Sequence, residues 1–217
     1  MAPDFVLVDH RVHDGLLQAL QKAIREFYGA NPLQSPDYGR IVHRRHFERL
    51  TAYLSCGTIV CGGDADATQL YIAPTLMTGV PENSPVMQEE IFGPILPVVP
   101  FQTLGDALTS LHSRPTPLAL YLFTPDRATQ EQVLASTRSG GVCLNDTLTH
   151  MIGQELPFGG CGESGIGAYH GQASFDAFTH YRSVLRRSLA IDPRLRYPPP
   201  KISLAQLKRA MRFLLGG

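Results

Sequence analysis

Apolar residues along the chain fall into runs of strand length that alternate with stretches at helical spacing. Helices are predicted at 12–28 and 43–54, where apolar residues recur at helical spacing, and shorter helices at 106–111 and 126–137. Strand-like runs occupy residues 5–8, 58–60, 71–77, 95–101, 118–123 and 141–144. This alternation predicts an α/β fold with a largely parallel sheet.

Local signals add detail to three of these elements. Asp126 is the expected N-cap of the helix that follows it. Pro74 cannot donate a ladder hydrogen bond, so the run at 71–77 is expected to be an edge strand or to contain a bulge. The run at 118–123 is apolar throughout and predicts a buried strand.

Composition narrows the possible classes of protein. A chain of 217 residues with 43% hydrophobic and 18% charged residues is long enough for one globular domain with a substantial core. The formal net charge is zero, so nucleic-acid binding is not indicated. No apolar run approaches the roughly 20 residues of a membrane span, and no secretory signal is visible.

The cysteines and histidines predict no metal site. Four cysteines contain no Cys-x-x-Cys pair, and the close histidines His43 and His46 are best interpreted as part of a surface helix. Free thiols are expected, and with them a reducing, cytosolic compartment.

Two adjacent carboxylates, Glu89 and Glu90, precede Phe92 and a Gly-Pro break. In extended chain, neighbouring side chains point to opposite faces, so one of the two acids would face a cleft, and Phe92 would share the side of Glu90. A carboxylate can accept hydrogen bonds from ribose hydroxyls, and a ring can lie against a flat heterocycle. A solvated acidic turn before a strand is the alternative, which the residues alone favour.

A second notable segment is rich in glycine. Gly160, Gly162 and Gly165 satisfy the G-x-G-x-x-G spacing of dinucleotide-binding loops. No apolar strand leads into them and no suitably placed acid follows, so a turn in which backbone passes close to backbone is the better interpretation. His170 could be a base, but it has no evident partner, and a structural role is favoured.

The residues at 88–94, Gln-Glu-Glu-Ile-Phe-Gly-Pro, resemble a signature of NAD(P)-dependent aldehyde dehydrogenases. Pro-Phe-Gly-Gly at 157–160 and the Ser-Gly-x-Gly-x-Tyr-His-Gly pattern at 164–171 resemble the class 3 branch, and the similarity extends from Ala2 to about Pro199.

The resemblance implies roles for individual residues. Glu90 would bind the nicotinamide ribose of NAD or NADP, and Phe92 would border the nicotinamide. Phe158 and Cys161 would lie at the substrate pocket, and Asn145 would support it. Cys161 departs from the small aliphatic residue common at its position, so the particular aldehyde is left open.

The resemblance also places the nucleophilic cysteine, the general-base glutamate and the dinucleotide-binding domain upstream of Met1. We therefore expect no catalytic residue in this chain, which resembles the C-terminal half of such an enzyme and is predicted to be inactive alone. A homodimer is implied. The alternative is a non-catalytic fragment that pairs with full-length paralogues.

The resemblance and the residues of the tail together predict three regions. Residues 1–181 would form the catalytic-domain portion, and 182–200 a dimerisation strand, at 183–187, with a proline-containing linker. Residues 201–217 predict a basic amphipathic helix, which would either contact an anionic membrane surface or dock on the protein body. A cytoplasmic location, with or without membrane attachment, is expected.

Overall fold

The computed structural model describes residues 2–190, 192, 197–199 and 202–215. The chain divides into two compact units, Met1–Ala177 and Phe178–Gly217. The strands of the described residues are β1 (Val6–Asp9), β2 (Thr58–Cys61), β3 (Ala65–Asp66), β4 (Tyr71–Ile72), β5 (Thr75–Thr78), β6 (Ile95–Phe101), β7 (Ala119–Leu122) and β8 (Gly141–Leu144). The helices are α1 (His13–Tyr28), α2 (Arg44–Tyr53), α3 (Pro85–Gln88), α4 (Leu104–His112), α5 (Arg127–Ser136), α6 (Thr149–Ile152), α7 (Gly171–Ala177) and α8 (Leu204–Leu215).

The strands form a mostly parallel arrangement, as predicted. The main sheet has the order β1-β6-β5-β2, in which β6 runs parallel to both β1 and β5, and β2 is antiparallel to β5. Strands β7 and β8 form a separate parallel pair, and β3 and β4 form a short antiparallel pair.

The predicted helices are confirmed, and their caps explain where two of them begin. Asp126 accepts a hydrogen bond from the amide of Thr129 at 2.9 Å, which caps α5. Thr103 and Asp106 form a reciprocal capping box at the start of α4.

Two strand predictions need correction. The run at 71–77 is divided by Pro74 into β4 and β5, and β5 lies inside the main sheet, so the edge position is wrong for β5. The β2–β5 ladder does contain a register shift, which lies between Ile59 and Cys61 of β2. The missing N–H of Pro74 falls between the two strands, where no ladder bond is lost. Strand β7 is half-buried and not buried, because within the described residues it pairs only with β8.

Residues 183–187 form no ladder with the described residues of this chain. A dimerisation strand would pair with another subunit, so the strand at 183–187 stays a prediction. A strand needs a partner for its backbone groups, and apolar sequence alone does not supply one. Phe178 and Tyr181 are 94% and 66% exposed. The predicted tail helix is present as α8. None of the helices in the described ranges is long and apolar enough to cross a bilayer.

The largest core cluster lies between α2 and the main sheet. Phe47, Leu50 and Tyr53 line one face of α2 at a spacing of three residues, and all are buried. They pack with Met77 of β5 and with Ile91, which precedes β6. The core therefore holds α2 against the segment that leads into β6.

Leu50 is fully buried, so Leu50→Ala should lower the free energy of unfolding by about 2–5 kcal/mol through lost contacts and a cavity. Denaturant unfolding followed by circular dichroism measures this change. Val42, which is 84% exposed just before the same helix, provides the control, and Val42→Ala should change stability by less than about 0.5 kcal/mol. Equal effects of the two variants would contradict the assigned core.

Candidate functional site

The turn between α3 and β6 displays one aromatic side chain and buries its neighbour. Ile91 is 1% exposed, whereas Phe92 is 76% exposed. The backbone amide of Ile91 donates to the Asp4 carboxylate at 2.9 Å. Phe92 has a φ of 52°, in the left-handed region that residues other than glycine seldom adopt. The turn is anchored in the core by Ile91 and projects Phe92 outward.

The two acids of this turn have different environments. Glu89 accepts a hydrogen bond from the Tyr53 hydroxyl at 2.7 Å and pairs with Arg49 at 3.3 Å. Burial, followed by the bond to the Glu89 carboxylate, raises the pKa of Tyr53 and keeps its phenol protonated. Glu90 is exposed, and within the described residues its carboxylate has no hydrogen bond or ion pair. One acid is therefore held by the protein, and the other is available to a ligand.

Helix α2 supplies contacts that the sequence prediction missed. Arg49 donates to the carbonyl oxygens of Glu90 at 3.1 Å and Ile91 at 2.7 Å, and a His46 ring nitrogen lies 2.9 Å from the carbonyl oxygen of Phe92. His46, Arg49 and Tyr53 are spaced by three and four residues, so they lie on one helical face. That spacing was the available signal in the sequence.

The glycine-rich segment is a tight loop, as predicted. A side chain on Gly159 would overlap the carbonyl of Gly167, and one on Gly160 would overlap the carbonyl of Ser164. Phe158 and Tyr169 form an antiparallel bridge across the base of the loop. Close backbone approach therefore accounts for these glycines.

The two predicted pocket residues of this loop are both partly buried. The Phe158 ring lies 5.7 Å from each of the rings of His150 and Tyr169, and 6.3 Å from that of His170. Cys161 is a free cysteine whose backbone amide donates to the Ser164 hydroxyl at 3.1 Å. Phe158 thus belongs to an aromatic cluster, and Cys161 begins a short 3-10 turn at Gly162–Ser164.

A buried thiol–imidazole contact lies behind this cluster and was not predicted. Cys143 of β8 and His150 of α6 are both buried, with sulfur and Nδ1 3.1 Å apart.

Asn145, just after β8, has a φ of 57° and accepts a hydrogen bond from the Thr124 amide at 2.8 Å. The Asn145 side chain therefore ties the ends of β7 and β8 together.

One connecting segment contacts both the turn before Glu89 and the glycine-rich loop. Arg114 donates to the carbonyl of Met87 at 2.8 Å, and its guanidinium lies 4.6 Å from the Phe5 ring centroid. The amide of Thr116 donates to Glu163 at 3.2 Å. Bonds from its own backbone amide and from Thr116 lower the pKa of the Glu163 carboxyl. The segment 114–116 therefore touches the turn before Glu89 and the glycine-rich loop.

Within the described ranges, no three His, Cys, Asp or Glu side chains are grouped closely enough to hold a metal ion. His43 caps α2 by accepting from the amide of His46 at 3.1 Å, which confirms the surface-helix interpretation of this pair.

The fold and the motifs define a member of the aldehyde dehydrogenase family, to which this chain belongs: the family model matches residues 1–184. The chain is 47% identical over 210 residues to 4,4'-diaponeurosporen-aldehyde dehydrogenase of Staphylococcus aureus, covering 96% of this chain and 46% of the relative. It is 48% identical over 217 residues to human aldehyde dehydrogenase family 3 member B1, covering 99% of this chain and 45% of the relative. The chain thus spans less than half the length of these two relatives.

Similarity to solved structures agrees with the sequence comparison. The substrate-bound state of Staphylococcus aureus AldH superimposes with a TM-score of 0.82 at 47% identity, covering 97% of this chain and 46% of that one. An indole-3-acetaldehyde dehydrogenase of P. syringae, in complex with NAD+, gives a TM-score of 0.74 at 27% identity, covering 84% of this chain and 38% of that one.

Proposed function

We propose that this chain supplies part of the cofactor and substrate sites of an NAD(P)-dependent enzyme that oxidises aldehydes to carboxylic acids. The main support is the turn at 89–92, where Glu89 is held by the protein while Glu90 and Phe92 project outward. Family membership and the NAD+ complex of a solved relative agree with this assignment.

The exposed groups fit a nicotinamide riboside. The Glu90 carboxylate can accept hydrogen bonds from two ribose hydroxyls, and the Phe92 ring offers a flat face. The nicotinamide, when bound, supplies the hydride acceptor. The role of Glu90 and Phe92 is to bind and orient, because neither is placed to attack a carbonyl.

The substrate side is assigned to the loop around Phe158 and Cys161. The ring of Phe158 provides an apolar wall for an aldehyde, and Cys161 lies three residues further along the same loop. Asn145 supports this region through its bond to the Thr124 amide and needs no contact with substrate.

Restoring the upstream half tests the cofactor assignment. In a hybrid where this chain replaces the matching 46% of the Staphylococcus aureus relative, Glu90→Gln should weaken NAD+ or NADP+ binding by tenfold or more, since a charge-assisted hydrogen bond is worth about 1.5–3 kcal/mol. Phe92→Ala should act in the same direction through lost contact. Calorimetric titration measures both, with Glu131→Gln on α5 as the control. Unchanged binding in both variants would exclude these residues from the site.

Expressed alone, the 217-residue chain should not oxidise aldehydes. Oxidation requires a thiolate to attack the aldehyde carbonyl, and the resemblance assigns that cysteine to a position upstream of Met1. Formation of reduced nicotinamide with short and long aldehydes measures the activity. Turnover above background that disappears in Cys161→Ser would contradict the prediction and make Cys161 a nucleophile.

A non-catalytic pairing role is the second candidate. Val184 and Leu185 are 66% and 93% exposed in a segment that forms no strand ladder in the described residues, and such a segment can add to another chain's sheet. A bovine relative, 44% identical, is named a dimeric NADP-preferring aldehyde dehydrogenase. An inactive hybrid together with co-elution of this chain and a full-length relative would favour the pairing role.

The tail helix is proposed to contact an anionic membrane surface. Leu207 and Met211 are about half exposed on α8, beside Lys208, Arg209 and Arg212. The chain should sediment with phosphatidylserine vesicles more than with phosphatidylcholine vesicles, and replacing the three basic residues by glutamine should remove the difference. Equal sedimentation with both vesicle types would instead favour a helix docked on protein.

A further inference from the structure

We propose that Arg49 is a positioning residue for the candidate cofactor site: it holds the backbone at 89–92 so that the Glu90 carboxylate and the Phe92 ring face a ligand. The inference rests on the proposed function, because it assigns the turn at 89–92 to cofactor binding. Arg49 itself makes no contact with the cofactor in this proposal.

The contacts of Arg49 converge on one short segment. One terminal nitrogen lies 3.3 Å from the Glu89 carboxylate and 3.1 Å from the carbonyl oxygen of Glu90. The other terminal nitrogen lies 2.7 Å from the carbonyl oxygen of Ile91. A planar guanidinium can serve several acceptors in a fixed arrangement, whereas a lysine ammonium cannot reproduce this fork.

Arg49 is itself held in place. Its first terminal nitrogen donates to the Tyr53 hydroxyl at 2.6 Å, and its guanidinium lies 5.2 Å from the Tyr53 ring centroid. The Arg49 side chain is 32% exposed, and Phe47, Leu50 and Tyr53 of the same helix are buried in the core. The Arg49 guanidinium therefore extends from a helix that the core already holds in place. This lowers the conformational entropy lost when the side chain is ordered.

A second side chain of α2 depends on the same arginine. The Arg49 guanidinium lies 3.3 Å from His46 Nδ1, and because a guanidinium can only donate, Nδ1 must accept. His46 Nε2 then carries the hydrogen and donates to the carbonyl of Phe92 at 2.9 Å. The carbonyls of Glu90, Ile91 and Phe92 are thus all bound by α2.

The Phe92 backbone shows why such a clamp is needed. Its φ of 52° is unfavourable for a side chain with a Cβ and persists only where neighbouring contacts impose it. Without the bonds from α2, the peptide groups around Phe92 could relax to ordinary angles, and the ring and the Glu90 carboxylate would change direction. The strain therefore links Arg49 to the orientation of both ligand-facing groups.

The test uses Arg49→Gln, Arg49→Lys and the control Arg45→Gln in the hybrid with the Staphylococcus aureus relative. Arg45 lies on the same helix and is exposed. Binding of NAD+ and of ADP, which lacks the nicotinamide riboside, is measured by calorimetry. Arg49→Gln should weaken NAD+ binding by about tenfold, the effect of losing one charge-assisted hydrogen bond, and leave ADP binding unchanged. Arg49→Lys should restore only part of the loss.

Hydrogen exchange of the 217-residue chain gives a second readout. Amides at 89–93 should exchange faster in Arg49→Gln than in the wild type, with no change in Arg45→Gln. Equal loss of NAD+ and ADP binding in Arg49→Gln, or unaltered NAD+ binding, would overturn the positioning role. A wild-type hybrid that binds neither ligand would contradict the proposed function, and unchanged exchange at 89–93 in Arg49→Gln would overturn the clamp itself.

Discussion

The candidate cofactor site depends on the hydrogen bonds from helix α2 to the backbone of the turn before β6. Arg49 and His46 bind successive carbonyls of that turn, while Phe47 and Leu50 of the same helix are buried in the core. A single helix therefore connects the core to the ligand-facing surface. Close packing in the core restricts the movement of α2, and the hydrogen bonds from α2 therefore restrict the movement of the turn.

The same turn shows how two chemically identical side chains acquire different roles. Glu89 is engaged by Tyr53 and Arg49, and this pairing directs it toward the protein. Glu90 keeps an exposed carboxylate while its carbonyl oxygen is held by Arg49. A carboxylate can accept hydrogen bonds from sugar hydroxyls only through lone pairs that are not already engaged. Because Glu89 is paired, Glu90 is the acid whose carboxylate can accept such bonds.

The substrate-side loop is organised by different forces. Gly159 and Gly160 let backbone approach backbone, and the bridge between Phe158 and Tyr169 closes the loop. The Phe158 ring packs near that of His150, whose Nδ1 contacts the sulfur of Cys143 on β8. Aromatic packing and one buried polar contact therefore position this loop, whereas carbonyl-directed hydrogen bonds position the turn at 89–92.

The sequence by itself determined the alternation of helices and strands, the cap at Asp126 and the glycine-rich turn, because periodicity, capping and backbone freedom are local properties. The resemblance of residues 88–94 to a family signature, and not the pattern of the residues alone, pointed to Glu90 and Phe92. Only the tertiary structure decided that β5 is an interior strand, that 183–187 has no ladder partner in the described residues, and that Arg49 and His46 hold the turn. Those features depend on contacts between residues that are far apart in the sequence. The hydrogen bond from Arg49 to the Ile91 carbonyl, for example, joins residues 42 positions apart. Local patterns do not specify such meetings.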